Sequence, residues 1–562
     1  MQYSEFVEVY EALSGTTKKL EKSAILAEFL KKLAKRGKSE WIYLLRGRVL
    51  ADYDSREFGI SDQLTLKAIG SAFGIKADDV QTNFNKIGDW GKVAELYVEK
   101  RRQSVLFSKR LDVDKVFSNL KGLVSIDGKG AVERKISLIS ELLTSASGKE
   151  AKYIIRTLLN DLKVGVADAL LIDAFDLAFF ENREDMKEKL EEKYDLANDS
   201  ALVFDACRKG ESELEKIDIE PGRPIKAMLA VKVEDFEDAF RICGKPAAIE
   251  HKYDGFRMLI NNNHGKITLF TRKLENVTLQ FPDVVSAVKK NVKGDSFVLD
   301  SEVVGYDPKT KKYRPFEAIS QRIKRKYEIE KIIGALPVEV NVFDVVYYNG
   351  KSLINTPFQE RRKIVEKIIK EKKLVIRPAI QIVSEDEKEA QKFYENALKI
   401  GEEGIMMKKL DAPYKQGRRV GYMVKMKPIT NDIDVVIVGA EYGTGKRAGW
   451  LTSYIVACRE EDKFLEVGMV SSGLKEKEEE GTSYDEMTKL LKPLIIDESG
   501  NEVKVKPKVI VSVTYQNIQK SPSYSSGYAM RFPRITHYRP DRNTNDIATL
   551  KDIAKEAGKQ RE

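Results

Sequence analysis

A chain of 562 residues that is 42% hydrophobic is long enough for about three to five domains of roughly 100–200 residues each. Its 97 Lys and Arg against 88 Asp and Glu leave a formal charge of +9, which permits a nucleic-acid partner without requiring one. Three scattered cysteines (Cys207, Cys243, Cys458) exclude a disulfide framework and a four-cysteine zinc site, three histidines leave little for a histidine cage, and no apolar run approaches the ~18 residues of a membrane span.

The N-terminus carries acids early and no apolar signal region, so the expectation is a soluble cytoplasmic protein. Charge is uneven along the chain: +6 over residues 1–170, −9 over 171–220, +13 over 221–430 and −1 over 431–562. The first ~220 residues read as helical. Leu26, Phe29, Leu30 and Leu33 fall at i, i+3, i+4 and i+7, and Ile136, Ile139 and Leu143 repeat the stripe. The acidic stretch 181–220 reads as a solvated helix face. It leads to a linker at 220–224, where two Pro and a Gly break any helix. Strands are predicted next at 247–250, 296–304, 339–347 and 422–427, with a basic helix at 360–373. From residue 432 strand signals dominate, at 434–440, 453–458, 464–470 and 509–516, with Gly-rich turns such as 443–445 between them. Several short strands in about 100 residues suggest a small barrel.

The informative feature is charge alternating inside apolar strands. Glu250, Lys252 and Asp254 fall on one side of a strand, as do Asp300 and Glu302, and Lys425 and Lys427. Any one such strand reads as a solvated face. Three in one segment suggest a polar cleft for a phosphate chain and a divalent cation, because an unpaired buried charge is costly. Arg257, Arg272, Arg418 and Arg419 add phosphate forks, and Glu403 adds a carboxylate. A phosphate-binding loop of the GxxxxGK[ST] type fails at 440 and 447, which are Ala440 and Arg447. Lys252 is the candidate nucleophile, provided a cationic or desolvated cleft frees its lone pair. The plain alternative is that it pairs with Glu250 or Asp254. His251 points to the opposite face and reads as structural.

Lys252-Tyr253-Asp254-Gly255 resembles the KxDG motif of covalent nucleotidyltransferases. The ordered set is more specific: Thr271-Arg272, residues 299–304, 343–347, 403–408 and 424–427, then Arg531-Phe532-Pro533-Arg534 and Arg539-Pro540-Asp541-Arg542. With the helical N-terminus and its segment 161–166, and the core entry at 221–230, the whole chain is similar to ATP-dependent DNA ligases of the archaeal and eukaryotic replicative type. Arg542 stands where many relatives carry Lys. RNA ligases and capping enzymes share the KxDG chemistry but typically lack the helical N-terminus. NAD-dependent ligases usually need a four-Cys zinc site. A catalytically silent DNA-binding scaffold is the remaining alternative.

The resemblance implies a multidomain protein: an all-α DNA-binding domain (1–222), an α+β nucleotidyltransferase domain (223–428) and a C-terminal β-barrel of OB type with a terminal helix (429–562). It implies that Lys252 becomes adenylated, that Glu250 accepts from the adenine amino group and that Phe343 stacks on the base. Arg257 and Arg272 contact ribose or phosphates, and Arg419, Lys425 and Lys427 bind the triphosphate. Glu302 and Glu403 hold Mg²⁺, with Mn²⁺ as an alternative. Arg531, Arg534, Arg539 and Asp541 orient the leaving pyrophosphate, and Lys163 and Gly165 greet a DNA phosphate. The implied partners are ATP and nicked duplex DNA, the implied state is a monomer, and the implied location is the cytoplasm beside the nucleoid. Residues 103–107 are the candidate segment for a sliding clamp.

Overall fold

The computed structural model describes residues 1–559 except 55, 103–110, 315–318, 320, 321, 324–328, 418, 419, 429–431, 444–446, 448 and 477–481. The predicted clamp segment, Arg418 and Arg419 therefore lie outside the described residues. Two compact units divide the chain, Met1–Lys427 and Pro428–Glu562.

The first unit begins with helices. Helix Lys19–Arg36 buries Leu26, Phe29, Leu30 and Leu33, the stripe their spacing predicts. Phe29 meets Phe6 edge to face with ring centroids 4.8 Å apart, a geometry aromatic quadrupoles favour. Helix Gly148–Leu158 starts at a capping box: Ser147 accepts from the Glu150 amide, and the Glu150 carboxylate accepts from the Ser147 amide. The acidic stretch is more than a solvated face. Its helices Glu184–Ala197 and Ser200–Cys207 bury Leu190, Tyr194 and Phe204, and Lys189 bridges Glu211 and Glu215 at 2.6 and 2.9 Å. The predicted linker at 220–224 carries no helix, and Asn198 Nδ2 fastens it by donating to the Pro224 carbonyl at 2.7 Å. Among the described residues, no helix is long and apolar enough to cross a membrane.

Two sheets follow. The five-stranded sheet runs β1-β11-β10-β2-β9 and the six-stranded one β4-β3-β5-β6-β7 with β8 beside β6. The strands are β1 (Val231–Val233), β2 (Ala247–Lys252), β3 (Phe256–Asn263), β4 (Lys266–Thr271), β5 (Ser296–Gly305), β6 (Val338–Tyr348), β7 (Lys351–Ser352), β8 (Ile376–Pro378), β9 (Gln381–Ser384), β10 (Gly404–Lys409) and β11 (Met423–Met426). Helices Phe236–Cys243 and Glu387–Lys399 cover the first sheet, packing Phe240, Ala390 and Ala397 with Ile249, Ile405 and Met407. The predicted basic helix at 360–373 is shorter, Phe358–Ile368. Ile369 turns extended and bridges Val292, so chain pairing overrides helix propensity there. The chain leaves the first sheet at Lys252 and enters the second at Phe256, so residues 253–255 are the crossover between them.

The second unit is β-rich. Strand β12 (Ile433–Tyr442) pairs with β13 (Leu451–Glu460) from Val436 to Tyr442, with β17 (Ile510–Thr514) at its start and with β16 (Glu502–Val505) at its end. One strand thereby serves two arms of a seven-stranded sheet. Strand β14 (Lys463–Val470), at the predicted 464–470, pairs with β13, whereas β15 (Ile495–Ser499), β16, β18 (Asn517–Lys520), β19 (Tyr528–Arg531) and β20 (Arg534–Tyr538) are not among the predicted strands. Helix Leu550–Lys559 closes the described chain.

Candidate active site

The crossover at 253–255 is built tightly. Gly255 lies against β5, where a Cβ would fall 2.4 Å from the Val303 carbonyl oxygen. Tyr253 is buried and its hydroxyl accepts from the Ile380 amide at 2.9 Å. The Asp254 amide donates to Glu402 Oε2 at 3.3 Å. These contacts fix the direction in which Lys252 leaves β2.

Lys252 Nζ lies 2.6 Å from Glu403 Oε2, and Lys427 Nζ reaches the same oxygen at 2.6 Å. Glu403 is placed there by backbone. Its amide donates to the Lys252 carbonyl at 2.9 Å. Gly404 follows with φ +140°, and a Cβ on it would sit 2.2 Å from the Met426 carbonyl oxygen, so glycine is required. The partner of Lys252 is thus Glu403, not Glu250 or Asp254.

Charge in this cluster is unbalanced by burial. Burial would raise the Glu403 carboxyl, but the ammonium groups of Lys252 and Lys427 overcome it and hold Glu403 well below the usual carboxylate range. Burial and the neighbouring Lys252 charge pull the Lys427 ammonium below its ordinary value. Burial pushes Glu302 up to about 7, with Lys252 and Arg257 opposing and Glu403 and Asp300 adding to the rise. Glu402 is pushed to about 8 by burial and by Asp254, Glu302 and Glu403. Among the described residues, no three of these side chains are arranged to hold one metal ion by themselves. Hard carboxylate oxygens crowded beside lysines still fit a Mg²⁺ that takes its remaining ligands from water and phosphate.

Glu250 and Phe343, the residues predicted to hold the base, both contact Lys408, and the polar groups there are already paired. Glu250 is buried; its Oε1 accepts from Gln381 Nε2 at 2.8 Å and its Oε2 lies 2.6 Å from Lys408 Nζ. Phe343 carries two cations over its ring, Lys408 Nζ at 4.4 Å and the Arg257 guanidinium at 5.3 Å. Arg257 is largely consumed by protein. It forks Asp300 through Nε at 2.8 Å and Nη2 at 2.5 Å, and donates to the Met228 carbonyl at 2.6 Å. Asp300, fully buried, also accepts from the Tyr414 hydroxyl at 2.7 Å.

Lys425 lies on β11 opposite Met406 of β10, and Arg272 is exposed just beyond β4. Lys163 adopts φ +59° and pairs with Asp161 at 2.9 Å and Asp89 at 3.1 Å. A Cβ on Gly165 would meet Lys22 Nζ at 3.0 Å. In the second unit, Arg534 is exposed, Arg531 lies over the Phe532 ring at 5.0 Å, and Arg539 pairs with Asp541 at 2.7 Å and Asp434 at 3.2 Å. Its guanidinium holds the Asp541 carboxyl down at about 2. The sequence reading missed Lys408, Gln381 and Glu402. Lys408 and Glu402 sit in or beside the motif at 403–408, and the period-2 pattern Met406, Lys408 was a usable signal; for Gln381 there was none.

Three family profiles match the chain in order: DNA ligase N terminus over residues 2–176, ATP dependent DNA ligase domain over 227–427, and ATP dependent DNA ligase C terminal region over 447–542. A DNA ligase of Nanoarchaeum equitans (strain Kin4-M) is 43% identical over 558 residues, 98% of each chain. A DNA ligase of Thermococcus fumicolans is 37% identical over 563 residues, 100% of this chain and 99% of that one. The solved structure Pmar-Lig_Pre covers 95% of this chain and 99% of its own at 17% identity with a TM-score of 0.55, a likeness of fold. Identity of this level along the full length, with the three profiles in sequence order, shows that the chain belongs to the ATP-dependent DNA ligases.

Proposed function

We propose that this DNA ligase seals nicks in duplex DNA through three displacements at phosphorus, with Lys252 as the first nucleophile. Lys252 Nζ attacks the α-phosphate of ATP and expels pyrophosphate, leaving a lysyl-AMP phosphoramidate. An oxygen of the nick's 5′-phosphate then attacks the AMP phosphorus, the P–N bond breaks, and Lys252 leaves as the amine. The 3′-hydroxyl then attacks that 5′-phosphate and expels AMP. The observation that carries this reading is the meeting of Lys252, Lys427 and Glu403 at one oxygen, at the crossover between two sheets.

A lysine attacks as the neutral amine, so Lys252 must give its proton to solvent water and leave Glu403, which Lys427 continues to hold. Lys425, Lys427 and Arg419 bind the triphosphate, and Arg272 reaches the ribose or phosphates. Arg257 does so through whatever hydrogens its Asp300 and Met228 contacts leave. Glu250 accepts from the adenine amino group, and Phe343 stacks on the base. Glu302 and Glu403 hold Mg²⁺ or Mn²⁺, which supplies charge neutralisation to the phosphates. Arg531, Arg534, Arg539 and Asp541 orient pyrophosphate in the first step alone. Lys163 and Gly165 offer a contact to a DNA phosphate, with Lys163 trading its carboxylate partners for it. The domain boundaries lie near 222 and 428. The protein works as a monomer on chromosomal DNA in the cytoplasm, and residues 103–107 dock a sliding clamp.

ATP labelled at the α-phosphate, supplied with Mg²⁺, tests the reading. The wild type becomes covalently labelled, Lys252→Ala does not, and the label is lost again on adding nicked duplex DNA as the strand is joined. Label retained by Lys252→Ala would remove the proposal.

A further inference from the structure

Glu250 is 2% exposed, and a buried carboxylate needs a countercharge. Lys408 provides it from the neighbouring strand. The register of β2 and β10 sets Met406 opposite Glu250 and Lys408 opposite Ala248, which brings the Lys408 ammonium diagonally onto Glu250 Oε2 at 2.6 Å. That ammonium is itself 3% exposed as a residue and lies over the rings of Phe343 and Phe358 at 4.4 and 4.7 Å. The remaining groups facing Glu250 are Gln381 Nε2 at 2.8 Å, Arg362 Nη1 at 3.8 Å and the electrostatic neighbour Tyr253. A lysine so buried, between two rings and one acid, is matched to that acid and not to solvent.

We infer that Lys408 is a specificity-determining residue: as the fixed countercharge of Glu250 it makes that group an acceptor with no hydrogen to give, and so selects a purine with an amino group at position 6 over one with an oxo group there. The inference rests on the reading that Glu250 faces the 6-position of the base. An amino group donates to the carboxylate. An oxo group sets two acceptors face to face in a buried site, which is strongly disfavoured. Lys408→Met removes the cation at 2.6 Å and leaves Arg362 at 3.8 Å as the remaining countercharge, which weakens the hold on the carboxylate and with it the preference for a donor on the base.

The test compares covalent labelling of the full-length protein by ATP and by ITP, each labelled at the α-phosphate, as kcat/KM. The wild type favours ATP by roughly a hundredfold or more. Lys408→Met lowers the ATP-to-ITP ratio at least tenfold, and Lys408→Arg restores it. Lys408→Gln, which keeps a donor but no charge, is the second variant if methionine prevents folding, as judged by the melting midpoint, and it too lowers the ratio. Equal losses on both nucleotides, with the ratio intact, overturn the inference and leave Lys408 a packing residue. Glu250→Gln separates the two levels. A ratio changed in Glu250→Gln but not in the Lys408 variants removes this inference alone, whereas a ratio unchanged in Glu250→Gln removes the base contact and the inference with it.

Discussion

At the scale of single residues, the site depends on two glycines and one carboxylate. Gly255 and Gly404 each stand where a Cβ would meet a backbone oxygen, at 2.4 and 2.2 Å, and backbone gives way less readily than a side chain. Gly404→Ala should push β10 from β11, moving Glu403 off both lysines; labelling by ATP should fall by about two orders of magnitude, as expected for misplacement near 1 Å, and a labelling time course measures it. His251 gives a prediction in pH. Its ring is buried against Phe393 at 4.7 Å, and burial with the nearby Arg377 charge lowers it to about 4. A histidine held neutral in the fold contributes stability that is full above its unfolded value of ~6.5 and is lost as pH falls toward 4. The loss should be about 1–2 kcal/mol after allowance for solvent screening. Melting curves between pH 7 and 4 should show it, and His251→Gln should flatten the difference.

At the scale of elements, the proposed nucleotide pocket is tied to the segment just before β1. Tyr414 accepts from the Met228 amide at 3.1 Å and donates to Asp300, while Arg257 holds the Met228 carbonyl. Strands β3 and β5, the loop at 414 and the segment at 228 therefore share one buried network. Removing one member leaves the others unsatisfied. Tyr414→Phe should cost about 1–3 kcal/mol by denaturant unfolding. Asp300→Ala, which leaves a buried guanidinium without its acid, should cost about 3–5 kcal/mol.

At the scale of the whole molecule, Lys252 belongs to the unit 1–427, and Arg531, Arg534 and Arg539 belong to the unit 428–562. The fragment 1–427 has its own hydrophobic cores and should fold alone with a cooperative melt. If the second-unit arginines act on pyrophosphate, this fragment should label with ATP far more slowly than the full chain, by about 10²-fold or more, and adding back 428–562 should restore part of the rate. DNA binding by the full chain should weaken steeply with salt, since sealing must ignore base sequence and rests on phosphate contacts. A binding constant unchanged between about 50 and 200 mM salt would count against that.

The order of the motifs, the helical start and the positions of the main strands were readable in the sequence because each rests on local periodicity or on chemistry carried within a few residues. Lys252, Glu250 and Glu302 announced themselves as charges inside apolar strands, since such charges need a reason to be there, and Glu403 stood out only as a further carboxylate before Gly404. Which charge meets which was decided by tertiary structure. Lys252 pairs with Glu403 and not with its strand neighbours, because β10 antiparallel to β2 brings Glu403 to the end of β2. Arg257, expected at a phosphate, is turned onto Asp300 and Met228. Gln381 and Lys408 reach Glu250 from strands 131 and 158 residues away in sequence. Sequence spacing fixes the face on which a side chain stands; only the register between distant strands determines what stands opposite it.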